Sequence, residues 1–230
     1  MQLTIERDDL RAAGRDAGVV WLGLFTLGIG FGVVVTSHGL PWWLAPVVSA
    51  TVFAGSLEFL LVGLIAASAP LATIAVTTLL VNSRHLFYGL TFPVQRVRSR
   101  AGRCYSVFAL CDEAYALISG PARRGITGAR MLWTQAGLHV SWALGAGAGA
   151  VVGTAFLRDV RGLDFVLTAL FVVLALDAYR AAPDRSTMMS AVACTIVAVL
   201  LLPGAALPVA MVALTATFVV RHRGRGRAHA

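Results

Sequence analysis

Seven ionisable side chains stand inside apolar runs of this 230-residue chain: Glu58, Arg84, His85, Asp112, Glu113, His139 and Asp177. A charge placed centrally in a membrane helix costs roughly 2.5–3.5 kcal/mol, so such groups face a bundle interior or a water-filled path. Three roles suit them: an ion pair that holds two helices, a carboxylate that takes up a proton, and a cation that attracts a substrate carboxylate. Asn82 and Ser83 directly precede Arg84-His85 within LLVNSRHLFYGLTF, a run that otherwise reads as membrane-spanning.

Depth along each helix decides which groups can meet. Arg84 lies nine residues before Pro93, and Asp112 lies eight after Cys104, across the polar stretch 94–103. At about 1.5 Å per residue the two sit nearly level, so Arg84 pairs readily with Asp112 or Glu113. Glu58 is offset from Arg84 by an axial gap of about 9 Å, which a long side chain narrows but does not clearly close. Neighbours on a helix point about 100° apart, so Asp112 and Glu113 cannot both serve one partner, and neither can Arg84 and His85. A packing salt bridge alone is one reading. Two bases, three acids and the adjacent Asn82 and Ser83 exceed what one hairpin needs, which favours a pathway. His139, alone on the fifth apolar run, reads as a histidine hydrogen-bonded to a neighbouring helix. Asp177 reads as reaching the interface, and Asp164 as a helix cap.

Asn and Ser compete with the backbone for hydrogen bonds, and Gly89 and Pro93 loosen the second half of the same run. An interrupted helix is therefore expected there, of the kind with which many transporters bind zwitterions and coupling ions.

These residues need helices to carry them. The chain is 58% hydrophobic and 13% charged, with a mean hydropathy of +0.79. Soluble domains carry about 25% charged residues, so an all-α polytopic membrane bundle is the expected class. Runs of about 20 apolar residues suit a hydrocarbon core of about 30 Å. They fall near 17–36, 44–66, 70–92, 104–119, 131–153, 164–180, 188–202 and 205–220. The fourth and seventh are short enough to be re-entrant. Residues 1–16 read as a cytoplasmic segment forming a short amphipathic interfacial helix, 17–220 as the transport domain, and 221–230 as a basic tail.

All 19 basic side chains are arginine. They are scattered through short loops and a tail, which reads as the orienting charge of a membrane protein and not as a nucleic-acid surface. Eight crossings with an inner N-terminus place twelve arginines inside and six outside; a re-entrant 70–92 makes the tally nine against nine. The positive-inside bias favours eight. Gly28 and Gly32, and Gly145, Gly149 and Gly153, recur at four-residue spacing that lets helix backbones approach closely. They serve either internal packing or the docking of a second membrane subunit or copy. Cys104, Cys111 and Cys194 have no metal-ligand spacing and read as buried thiols. Neither H-E-x-x-H nor G-x-S-x-G occurs, so no enzyme, metal site or cofactor is expected.

FAGSLEFL at 53–60, VNSRHLFYG at 81–89, CDEAYAL at 111–117 and GLDFVLTALFVVL at 162–174 resemble, in order, recurring segments of the AzlC-type branched-chain amino acid permeases. The resemblance covers roughly residues 17–220. It implies an all-helical inner-membrane exporter of branched-chain or related small apolar amino acids, usually paired with a small AzlD-type membrane partner. Carried over by position, it assigns the polar motif to Asn82, Arg84 and His85 and the acidic pair to Asp112 and Glu113. Glu58 stands where the family typically has Gln. An added acid there changes substrate choice, adds a proton site, or pairs with Arg84.

Overall fold

The computed structural model describes residues 2–119, 125–156, 183–202 and 206–228, together with Val172, Leu176, Tyr179 and Arg180. Among these residues the secondary structure is helical, without strands. The sixth apolar run, with Asp164 and Asp177, falls largely outside them, as does the Pro203-Gly204 break.

The described chain forms α1 (Gln2–Ser37), α2 (Leu44–Thr51), α3 (Gly55–Ala66), α4 (Leu71–Asn82), α5 (Arg84–Thr91), α6 (Arg100–Phe108), α7 (Asp112–Ser119), α8 (Gly128–Phe156), α9 (Arg185–Leu201) and α10 (Ala206–Ala228). α1 is continuous through residue 16, so the expected separate interfacial helix is instead the opening turns of a 36-residue helix. It stops because Gly39 adopts φ 73°, while the Gly39 and Leu40 amides return to the Thr36 and Val35 carbonyls at 3.1 and 3.2 Å. That pairing satisfies carbonyls a helix end leaves open. The polar stretch 94–103 is also partly helical. A 3₁₀ turn at Val94–Arg96 leads into α6, whose Gly102 amide donates to the Ser99 hydroxyl at 3.0 Å.

Two compact units result. The first comprises residues 2–66 and 82–156; the second comprises residues 67–81 and the described residues from 172 on. In the second, α9 packs against α10, and the Asp184 carboxylate caps α9 by accepting from the Ser186 amide at 2.9 Å. The outer faces are strongly apolar: Leu71, Leu79, Leu86, Leu90 and Leu200 are all exposed. Faces of this kind suit lipid. α1 and α8 are each long and apolar enough to cross a bilayer.

The first unit is built on α1 against α8. A Cβ at Gly28 would meet the Ala146 amide and the Gly145 backbone, and one at Gly32 would meet Gly149 and Ala150. Reciprocally, Gly145 and Gly149 lie on the Phe25 and Ile29 carbonyls, and Gly153 lies on Thr36. The glycine stripes are thus spent on internal packing, the first of the two readings. Trp21, Gly28, Gly32 and Thr36 contact Gly137, Ala146, Gly149 and Gly153 in rising order, so the two helices run parallel. Near the start of α8 and in the first half of α1, Asp16 pairs with Arg130, and Thr127 donates to Asp9 at 2.8 Å.

Candidate functional site

Three of the expected crossings are interrupted. The second breaks at residues 52–54, where Phe53 takes φ 44°. A positive φ is a real strain for a bulky side chain, and such strain gathers at functional sites. The third breaks at Ser83, the interruption expected from Asn82-Ser83. Ser83 keeps helical dihedrals, but the Leu86 amide turns to the Ser83 carbonyl at 3.2 Å, and His85 Nδ1 donates to the Asn82 carbonyl at 3.2 Å. The fourth breaks at 109–111, between α6 and α7.

These breaks converge. Val52, Phe53 and Ala54 from the first, Asn82 and His85 from the second, and Phe108 and Leu110 from the third line one cavity of about 340 Å³. Gly89 and Phe92 complete a mostly apolar wall. That volume is at the small end for ligand sites, in the range of about 300–1,000 Å³. Asn82 borders the cavity, and its Oδ1 is buried without a hydrogen-bond partner.

A broken helix leaves backbone carbonyls and amides that must be satisfied in lipid. One face of α8 supplies partners at the first and third breaks. Gln135 Nε2 donates to the Ser106 and Ala109 carbonyls at 2.8 and 3.0 Å, while its Oε1 accepts from Ser106 Oγ at 2.7 Å. One turn on, His139 Nε2 donates to the Ala50 carbonyl at 3.1 Å, which leaves Nδ1 to accept from the Tyr105 hydroxyl at 3.2 Å. Trp142 Nε1 donates to both oxygens of Glu58, at 3.1 and 3.0 Å. Glu58, fully buried, also accepts from Ser49 Oγ at 2.8 Å and from the Ala54 amide at 2.9 Å. It therefore caps the start of α3 in the manner of a capping-box carboxylate. Phe31 and Phe59 pack around Trp142, with ring centroids 5.9 and 6.1 Å away.

Sequence reasoning treated these groups singly. Glu58 makes no contact with Arg84, in keeping with the axial gap between them; its partners are the three donors around it, so of the three readings of the added acid the pairing with Arg84 is set aside. Gln135 was not singled out. The available signal was the spacing of Gln135, His139 and Trp142 at i, i+4 and i+7, a polar stripe on an apolar helix.

Arg84 meets Asp112 at 3.0 Å, as depth counting expected, and donates to Ser56 Oγ at 3.0 Å. Asp112 also accepts from the Tyr88 hydroxyl at 2.9 Å, Tyr88 stacks on Tyr115 at 4.3 Å, and Tyr115 bonds Thr91 at 2.8 Å. Arg84, Tyr88 and Thr91 thus form one face of α5 that grips Asp112 and Tyr115 of α7. Glu113 is not the partner of Arg84, whose paired carboxylate is that of Asp112. His85 turns back across the break to the Asn82 carbonyl of α4, with its ring edge-on to Tyr88 at 5.5 Å. The cysteines are free, but Cys104 is exposed and Cys111 and Cys194 are only partly buried, so the reading of all three as buried thiols is corrected. Among the described residues no cluster of three or more His, Cys, Asp or Glu side chains could hold a metal.

The sequence profile described as AzlC protein matches residues 19–156, more than half of the chain and all three breaks. The chain belongs to the AzlC family. A Helicobacter pylori protein named an uncharacterized membrane protein is 31% identical over 164 residues, covering 70% of this chain and 72% of the relative. The branched-chain amino acid transport protein AzlC of Bacillus subtilis is 29% identical over 189 residues, covering 80% of this chain and 74% of the relative. A Haemophilus influenzae membrane protein is 30% identical over 157 residues, 66% of this chain and 64% of its own length. No solved structure matches the chain. With membrane proteins as relatives and long apolar helices of its own, the chain is a membrane protein, helical throughout its described elements.

Proposed function

We propose that this chain is a secondary transporter that exports branched-chain or related small apolar amino acids across the plasma membrane, coupled to protons and working with a small AzlD-type partner. The observation that carries the reading is the meeting of three helix breaks at one small, mostly apolar cavity. Interrupted helices are how transporters present backbone groups to a zwitterion while apolar walls take its side chain. The name of the Bacillus subtilis relative points to the same substrate class.

In this reading Arg84 and Asp112 form the moving contact. Proton uptake by Asp112 weakens its hold on the guanidinium, frees α5 from α7, and lets Arg84 attract the substrate carboxylate. Each protonation state then favours one of two accessible conformations. Glu58 is assigned to the scaffold and not to the proton path, because its contacts hold the α2–α3 break. Asn82 and His85 line the path, and Glu113 lies beside it. The transport domain is 17–220, flanked by cytoplasmic residues 1–16 and 221–230. The parallel packing of α1 and α8 supports an odd number of crossings between them, which suits the eight-span count better than a re-entrant 70–92.

Reconstitution of the purified chain in vesicles, with and without the small partner, tests this. Saturable leucine and valine efflux that depends on a proton gradient is expected. Flux carried by the partner alone would make this chain an accessory subunit, and unsaturable flux would make it a channel.

A further inference from the structure

His139 stands behind the cavity and touches two of its walls. Its ring centroid is 4.6 Å from that of Phe53 and 5.4 Å from that of Phe108, the latter edge-on. Phe53 comes from the α2–α3 break and Phe108 from the end of α6, and both line the cavity. The same imidazole bonds the Ala50 carbonyl of α2 and the Tyr105 hydroxyl of α6. One side chain on α8 therefore holds the α2 backbone and the Tyr105 side chain of α6, and packs against an aromatic ring on each of two sides of the pocket. Phe53 needs such a hold, since its positive φ gives it no intrinsic reason to stay where it is.

We propose that His139 is a positioning residue that sets the width of the cavity, and so selects the size of the apolar side chain admitted. It touches the walls and not the ligand. The selection rests on the cavity being the substrate site; the positioning of the walls does not. Removing the ring lets Phe53 and Phe108 relax toward α8 and widens the pocket. Two aromatic contacts of this kind support roughly a tenfold change in discrimination between substrates.

The test uses the full chain with 4-fluorophenylalanine at Phe53 and Phe108, read by fluorine NMR, beside flux of leucine and phenylalanine. Wild type should give one narrow line per position, and His139→Ala should give broadened or multiple lines. In flux, His139→Ala should lower the leucine-to-phenylalanine ratio of kcat/KM about tenfold, chiefly through KM, with the leucine kcat within about twofold. His139→Gln keeps a donor for Ala50 and an acceptor for Tyr105, as Gln135 does for α6, and should restore folding yield and part of the ratio. Unchanged fluorine lines in His139→Ala overturn the positioning role, whatever the flux. Altered lines with an unchanged ratio overturn the selection of side-chain size. Altered lines in a chain whose wild type moves no amino acid uphold the positioning and refute the transport reading.

Discussion

Replacing Glu58 separates a scaffold role from a charge role. The carboxylate receives three donors, from Ser49, Ala54 and Trp142, and the group is fully buried. In Glu58→Ala all three lose their acceptor. Each buried donor left unmet costs about 1–3 kcal/mol, which gives a loss of about 3 kcal/mol or more. Folds are held by only about 5–15 kcal/mol in total, so this is a large fraction. Glu58→Gln differs. Its carbonyl can accept from Ala54 and Trp142, and its amide can donate to Ser49 once that hydroxyl turns, so the cost should stay near 1 kcal/mol. The assay is thermal unfolding of detergent-purified protein followed by circular dichroism. At about 2–4 °C per kcal/mol, Glu58→Ala should lower Tm by at least about 6 °C and Glu58→Gln by no more than about 4 °C. Equal losses in both variants would show that the charge and not the acceptor geometry is what the fold requires, and would refute the scaffold assignment.

Gly149→Leu should abolish accumulation of folded protein, because its side chain would enter the Ile29 backbone; size-exclusion profiles report this. Gln135→Ala should destabilise by about 2 kcal/mol or more by freeing the Ser106 and Ala109 carbonyls, whereas Gln135→Glu should not mimic wild type, since it cannot donate to them when ionised. The Arg84–Asp112 pair is partly open, so a double-mutant cycle of Arg84→Gln and Asp112→Asn should give a stability coupling of no more than about 1 kcal/mol. Flux should respond far more. Either single variant is expected to lose proton-dependent exchange, and an unchanged proton dependence in Asp112→Asn would remove it from the proton path.

Composition made the helical membrane class legible, and four-residue glycine spacing made the α1–α8 contact legible, because both signals are local in sequence. Counting residues from the hairpin ends brought Arg84 level with Asp112, for helix rise is nearly constant. The break at Ser83 announced itself through Asn82. The other two breaks did not. FAG at 53–55 and ALC at 109–111 carry little turn chemistry, and what sustains them is a set of partners far away in sequence. Glu58 is completed by Trp142, 84 positions on, and Ala50 by His139, 89 positions on. A donor stripe on α8 explains acids and carbonyls elsewhere only once the helices are side by side. Glu58, which the sequence offers as a proton site or a partner for Arg84, is an acceptor hub for that reason.

Equilibrium binding of radiolabelled leucine to the purified chain, wild type against Leu110→Trp, tests most directly whether the cavity at the three breaks is the substrate site. Leu110 is a buried wall residue, and the larger indole would take up much of the space a small amino acid needs. Saturable binding to wild type, lost in a Leu110→Trp protein that remains monodisperse, is the expected result. Undiminished leucine binding to that variant would place the substrate elsewhere and contradict the proposed site.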